Sequence, residues 1–236
     1  MIKTNSHIHS KYSWDAHRDM DIESIAKILK YYKIKYGIIT DHIEFSEEAL
    51  SYVITKFKIR KQEIDRINQQ EQEKVILLNG AEISEPHIYV DKILKLEELS
   101  LDYILGSIHN INRNAKTKTE KLLAYKKYYS DILKMIETNQ IDAVAHLDYI
   151  NRYYESDYSD KSQLLELFQA MIERDIALEI NTSAKRRTTN KEVKYDIFPT
   201  IDKLEMYFDL GGEKILIGND AHQTDELTDN LDIIEE

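Results

Sequence analysis

The sequence contains no cysteine, which excludes disulfides, thiolate metal sites and cysteine-nucleophile phosphatases together. It has only two prolines and six glycines among 236 residues. That scarcity argues for regular, tightly connected elements and against linkers or low-complexity segments. No apolar run approaches the roughly eighteen residues of a membrane helix, and the N-terminus lacks the apolar stretch of a secretory signal. Positive charge is also in deficit: 32 Lys and Arg stand against 43 Asp and Glu, for a net charge of −11. Such a surface disfavours nucleic acid, whose phosphates demand clustered cations; the segment AKRRTTNK is only a local basic patch. These features lead us to expect one cytoplasmic domain spanning residues 1–236, without membrane or nucleic-acid partners.

What the chain does contain is an alternation of short apolar runs with longer amphipathic ones. DIESIAKILKYYK sets Ile22, Ile25, Ala26 and Leu29 on one helical face behind a capping Asp21. SEEALSYVITKFKIRKQEIDRI repeats the pattern with Leu50, Val53, Ile54, Phe57, Ile64 and Ile67. Leu122, Tyr125, Tyr129, Ile132 and Ile136 form a third stripe, and Leu164, Leu167, Phe168 and Met171 a fourth. A fifth, PTIDKLEMYFDLGG, is punctuated by Pro199 and Gly211. Between them lie seven candidate strands: KTNSH, YGIITDH, VILLNGAEI, YILGSIH, AVAH, ALEINTS and ILIGND. Several are continuously apolar, as buried parallel strands are. The pattern predicts an α/β protein, either a barrel or an open doubly wound sheet.

Nearly every such strand ends in a potential metal ligand. The first delivers His7 and His9, the second His42, the third Glu82, the fourth His109, the fifth His146 and the last Asp220 and His222. His17 follows shortly after the first strand. In an α/β barrel these C-terminal strand ends share one face. A lone histidine at a strand end is ordinarily a hydrogen-bonded structural residue. Repetition argues otherwise: burying so many imidazoles and carboxylates without a cation leaves costly unpaired groups. Nine ligands, some bridging, suit three divalent ions with open positions. Nitrogen and carboxylate donors without sulfur suit Zn2+, Mn2+ or Fe2+.

These residues resemble the PHP (polymerase and histidinol phosphatase) superfamily, in particular its monofunctional histidinol-phosphate phosphatases. The motifs are HIH, TDH, the SIH and AH pair, and DAH, spanning residues 7 to 222. The resemblance implies a distorted (β/α)7 TIM-like barrel, with a trinuclear site at the C-terminal ends of its strands. It assigns His7, His9, Glu82 and Asp220 to one ion. Glu82 bridges to a second held with His109 and His146, while His17, His42 and His222 hold the third. NTSAKR stands where family phosphatases carry a segment like NTSGLR, which makes Arg186 a phosphate contact; Arg152, six residues beyond His146, looks like a second, and Lys185 and Arg187 are expected to be exposed. A planar guanidinium grips phosphate oxygens bidentately.

The implied activity is that of a histidinol-phosphatase-like phosphoric monoester hydrolase. A hydroxide bridging the ions attacks phosphorus, and no covalent enzyme intermediate forms. Asp15, Asp41 and His87 are candidates to protonate the leaving alcohol, Asp41 alternatively orienting a ligand imidazole. Two other readings are open. One keeps the site but changes the substrate to phosphotyrosine, a nucleotide or another small phosphoester. The other is a metal-binding protein without turnover. The short acidic segment after His222 is less than the terminal helix expected to close such a barrel, so the chain is expected to end early. Monomer and homodimer are both compatible with the sequence.

Overall fold

The computed structural model describes residues 4–70, 75–184, 186, 195–229 and 231. Lys185, Arg187 and the end of the acidic terminal segment lie outside the described residues. The chain divides into two compact units. The first comprises Met1–Ser84, Asp91–Leu105 and Ile217–Glu236, and the second Glu85–Val90 and Gly106–Leu216.

In the first unit, β1 (Thr4–Ile8) runs parallel to β2 (Tyr36–Ile39), which runs parallel to β4 (Ile76–Ser84). The run YGIITDH does not form one strand. It breaks at Thr40–Asp41 and resumes as β3 (His42–Ile43), also parallel to β4. The helices α1 (Ile22–Tyr31) and α2 (Leu50–Gln70) belong to this unit, with a short α3 (Val90–Ile93) at its boundary. Asp21 caps α1 as its position predicts, accepting from the Ser24 amide at 3.0 Å. The apolar stripe of α1 then packs with Ile8, Ile39, Ile64 and Leu77 into one core. Each such buried aliphatic side chain contributes about 1.5–3 kcal/mol of transfer free energy. Gly37 permits this close approach, because a Cβ there would lie 2.5 Å from Leu29 Cδ1.

In the second unit, β6 (Ala143–Val144) pairs parallel with β7 (Ala177–Asn181). Its helices are α4 (Lys118–Glu137), α5 (Lys161–Glu173) and α6 (Ile201–Asp209). Both β5 (Tyr103–Ser107) and β8 (Ile215–Gly218) begin in one unit and end in the other. A capping box of Thr117 and Glu120 starts α4. Gly211, with φ +86°, ends the α6 segment in a conformation that favours glycine. The α4 stripe departs from expectation at its start: Leu122 is exposed, while Tyr128, Asp131 and Met135 are buried.

The second unit also buries a lysine. Lys203 Nζ lies 2.5 Å from Asp148 Oδ1, 2.5 Å from Asp157 Oδ2 and 3.0 Å from the Tyr129 hydroxyl. Asp148 in turn accepts from the Thr200 amide at 2.9 Å. The network ties α6 to the loop that follows β6. Removing one partner strands buried charge, so Lys203→Met is expected to cost about 3–5 kcal/mol. Lys58→Met, which breaks an exposed pair with Glu98, is expected to cost under about 1 kcal/mol. Urea unfolding of both variants measures the difference.

Candidate functional site

Backbone register assembles the site of the first unit. In the β3–β4 ladder His42 sits beside Glu82, which brings His42 Nδ1 within 3.0 Å of Glu82 Oε2. A parallel bridge pairs Ile8 with Ala221, and its flanking residues are His7 and His9 on one strand, Asp220 and His222 on the other. His9 N donates to Ala221 O at 2.9 Å. Two groups of donors result. His7, His9 and Asp220 form one, and His9, Asp15, His42 and His222 the other, with the donor atoms of each group within 4.8 Å of one another.

Glu82 closes the first group. Its Oε2 lies 3.3 Å from His7 Nε2 and 3.4 Å from His9 Nε2. Asp220 Oδ1 lies 3.6 and 3.3 Å from the same two nitrogens, which are themselves 3.0 Å apart. All four residues are buried. Burial holds His9 well below the ordinary imidazole pKa, reinforced by the neighbouring His222 and His42. Its ring is therefore neutral, with a lone pair available. Converging imidazoles and carboxylates, with no sulfur, fit a divalent cation.

The second group differs from the expected one. His17 is not in it: the side chain is 64% exposed and its Nδ1 faces Asp19 at 2.9 Å. Only its backbone joins the site, donating to His222 O at 2.8 Å. Asp15 takes the position instead, with Oδ2 at 3.0 Å from His222 Nε2 and 3.5 Å from His42 Nε2. Partial burial opposes ionisation of Asp15, yet hydrogen bonds from His222 and His42 hold its carboxyl well below the usual carboxylate range. A carboxylate so held offers lone pairs and not a proton.

Asp41 is likewise occupied. It accepts from Ser10 N at 2.5 Å, from Ser10 Oγ at 2.7 Å and from Arg60 Nη1 at 2.9 Å. Ser10 follows His9 and Asp41 precedes His42, so this pair of carboxylate and buried guanidinium ties together the backbone segments that bear the two imidazoles. Ser13 does the same from another side, its Oγ 3.0 Å from His9 Nδ1 and 3.0 Å from the His42 amide. His87 lies elsewhere, in the 3-10 turn Pro86–Ile88 of the second unit, with Nε2 4.0 Å from Asp131 on α4.

In the second unit the rings of His109 and His146 stack, with centroids 5.6 Å apart. Each is pinned by a carboxylate on its own amide: Glu85 accepts from His109 N at 2.7 Å, and Glu179 from His146 N at 2.6 Å. His146, at φ +26°, sits in left-handed backbone that its side chain disfavours, a strain of about 1–3 kcal/mol that clusters at functional sites. The two predicted arginines both bond to Ser183, Arg152 from the 3-10 turn Tyr149–Arg152 and Arg186 from the turn after β7. Arg152 Nη2 donates to Ser183 Oγ at 2.7 Å, and Arg186 N donates to Ser183 O at 3.1 Å. Arg152 is buried, with its guanidinium over Tyr149 and Phe198.

A model of the PHP domain matches residues 5–183. The chain belongs to the PHP domain family. A protein of Clostridium acetobutylicum named "Probable histidinol-phosphatase" is 28% identical over 242 residues, covering 94% of this PHP chain and 88% of that protein. One of the same name from Thermotoga maritima is 29% identical, covering 94% and 84%. Among solved structures, a histidinol phosphate phosphatase from Lactococcus lactis, complexed with zinc, L-histidinol and phosphate, superposes with TM-score 0.73 at 21% identity. That match covers 94% of this chain and 87% of that one. The PHP fold is thus the distorted (β/α)7 TIM-like barrel that the family resemblance implied, and not the open doubly wound sheet that the alternation also allowed. No helix among its described residues is long and apolar enough to cross a membrane.

The geometry separates two neighbours in sequence. Asp15→Ala is expected to lower the bound metal measured by elemental analysis, while His17→Ala leaves it unchanged. Loss in the second variant and retention in the first would reverse the assignment.

Proposed function

We propose that this PHP protein is a metal-dependent phosphatase that hydrolyses L-histidinol phosphate to L-histidinol and phosphate. The observation that carries the reading is the buried pair His7 and His9, each within 3.6 Å of both Glu82 and Asp220, which suits a cation and little else. The names of the two relatives and of the superposed structure point the substrate assignment in the same direction.

Three ions are proposed. His7, His9, Glu82 and Asp220 hold the first. His109 and His146 would contribute to the second, and His42, His222 and Asp15 would hold the third, with Asp15 in place of His17. Divalent cations in these positions lower the pKa of water and neutralise charge on phosphoryl oxygens. The protein's own task is orientation. Asp41 and Ser13 aim the imidazoles of the first unit, and Glu85 and Glu179 fix the loops bearing His109 and His146. Arg186 is proposed to bind the phosphate. Arg152, buried under Tyr149 and Phe198 and bonded to Ser183, shapes the turn that presents it. The 236 residues are proposed to act as a single domain.

Purified protein loaded with zinc, manganese or iron should hydrolyse histidinol phosphate with a higher kcat/KM than phosphotyrosine, a nucleoside monophosphate or glycerol phosphate. Similar rates on all four would defeat the substrate assignment but leave the phosphatase. Metal-loaded protein inactive on every ester would defeat both. Arg186→Ala removes a charge-assisted contact of about 1.5–3 kcal/mol. It should lower kcat/KM about 10- to 100-fold while bound metal is unchanged.

A further inference from the structure

The chain has a single tryptophan, and it is not where tryptophans ordinarily are. Trp14 is 70% exposed, although this side chain is among the most buried on average. The exposure is not that of a loose loop. Ser13, before it, is bonded to both His9 and His42. Asp15, after it, is held by His222 and His42. The loop is also closed at its base, where Lys11 N donates to Met20 O at 2.8 Å. The indole is stacked over the His42 ring, with centroids 6.2 Å apart and planes inclined by 29°. A large flat apolar surface is therefore fixed at the edge of the donor group and left open to water.

Holding an indole in water forgoes the transfer free energy its burial would provide, about 25 cal/mol per Å² of apolar surface. The backbone on both sides prevents the ring from folding inward to recover it. A second flat ring laid on its open face removes that surface from water and adds an offset-stacking contribution. A cationic ring or ammonium adds attraction to the π-face. The phosphoryl group belongs to the cations, so the part of an ester reaching the rim is its leaving alcohol. We infer that Trp14 is a specificity-determining residue that stacks on a planar ring of the leaving alcohol. Resting on the function proposed above, that ring is the imidazole of histidinol.

The single tryptophan supplies its own reporter. Metal-loaded protein titrated with L-histidinol should show a saturable change in indole emission that ethanolamine, an amino alcohol without a ring, does not produce. Unchanged emission with both, or equal change with both, would overturn the inference whether or not turnover is seen. Trp14→Leu should lower the ratio of kcat/KM for histidinol phosphate over O-phosphoethanolamine about tenfold, equivalent to about 1.4 kcal/mol, chiefly through KM. Trp14→Phe should restore most of the ratio. A purely structural role would lower both substrates equally and alter thermal unfolding; that result would overturn the assignment. If the wild type does not hydrolyse histidinol phosphate, the proposed function fails. The same comparison with phosphotyrosine against O-phosphoethanolamine then decides the role of Trp14 by itself.

Discussion

Two imidazole nitrogens and two carboxylate oxygens meet where scarcely any water reaches them. His7 Nε2 and His9 Nε2 stand 3.0 Å apart, and each lies 3.3–3.6 Å from Glu82 Oε2 and from Asp220 Oδ1. Left alone this is an unfavourable arrangement. Two buried carboxylates repel, and His9 is held unprotonated by burial, so it offers them no charge. A divalent cation turns each of those costs into a bond. Because the donors gather only when β1, β4 and the segment after β8 are in register, binding the cation and ordering the strand ends are linked in free energy.

The surroundings are built to keep the donors in place even though they repel. Arg60 is fully buried on α2, its Nη1 on Asp41 and its Nη2 2.6 Å from Asn79 Oδ1. Asp41 passes that anchorage to Ser10, and so to His9. Lys56, from the same helix, reaches the His42 carbonyl at 3.2 Å and Glu48 at 2.6 Å. The same helix thus presents a polar rod through an otherwise apolar face. Its cations pair with Asp41 and Glu48, the acids that flank the imidazole-bearing segments. Asp220, at φ +51°, sits in left-handed backbone beside the donors, held there by the bridge of Ala221 to Ile8.

The periodicity of apolar residues located all five long helices and seven strand regions, because burial of one face is what those patterns encode. It misplaced what burial of polar groups decides. Leu122 fits the α4 stripe yet is exposed, while Asp131 on the same helix is buried with Lys127 and Lys134 covering it. Arg60 fills the gap in the stripe between Phe57 and Ile64, a position where the spacing calls for an apolar residue. That anomaly was visible, but its meaning depends on Asp41, nineteen residues away. The supports Glu85 and Glu179 act through backbone amides of remote loops, for which no local pattern exists. The strand-end ligands, by contrast, were legible because parallel strands deliver their C-terminal residues to a common edge.

The exchange of His17 for Asp15 follows from loop geometry that residue type alone does not reveal. The two lie two positions apart, and both are competent ligands. In the structure the turn after Ser13 directs Asp15 inward, while the hydrogen bond from His17 N to His222 O leaves the His17 side chain facing Asp19 and solvent. The difference is chemical as well as positional. His17 would add one more imidazole to His9, His42 and His222, whereas Asp15 adds a carboxylate. A carboxylate in the set lowers the net positive charge of a bound ion, moderating how strongly it draws on an anionic substrate. It also binds cations that prefer oxygen donors more readily than imidazoles alone would. Trp14, the residue immediately before it, is stacked on His42 by the same turn, so one short loop places both a carboxylate among the donors and an indole beside them.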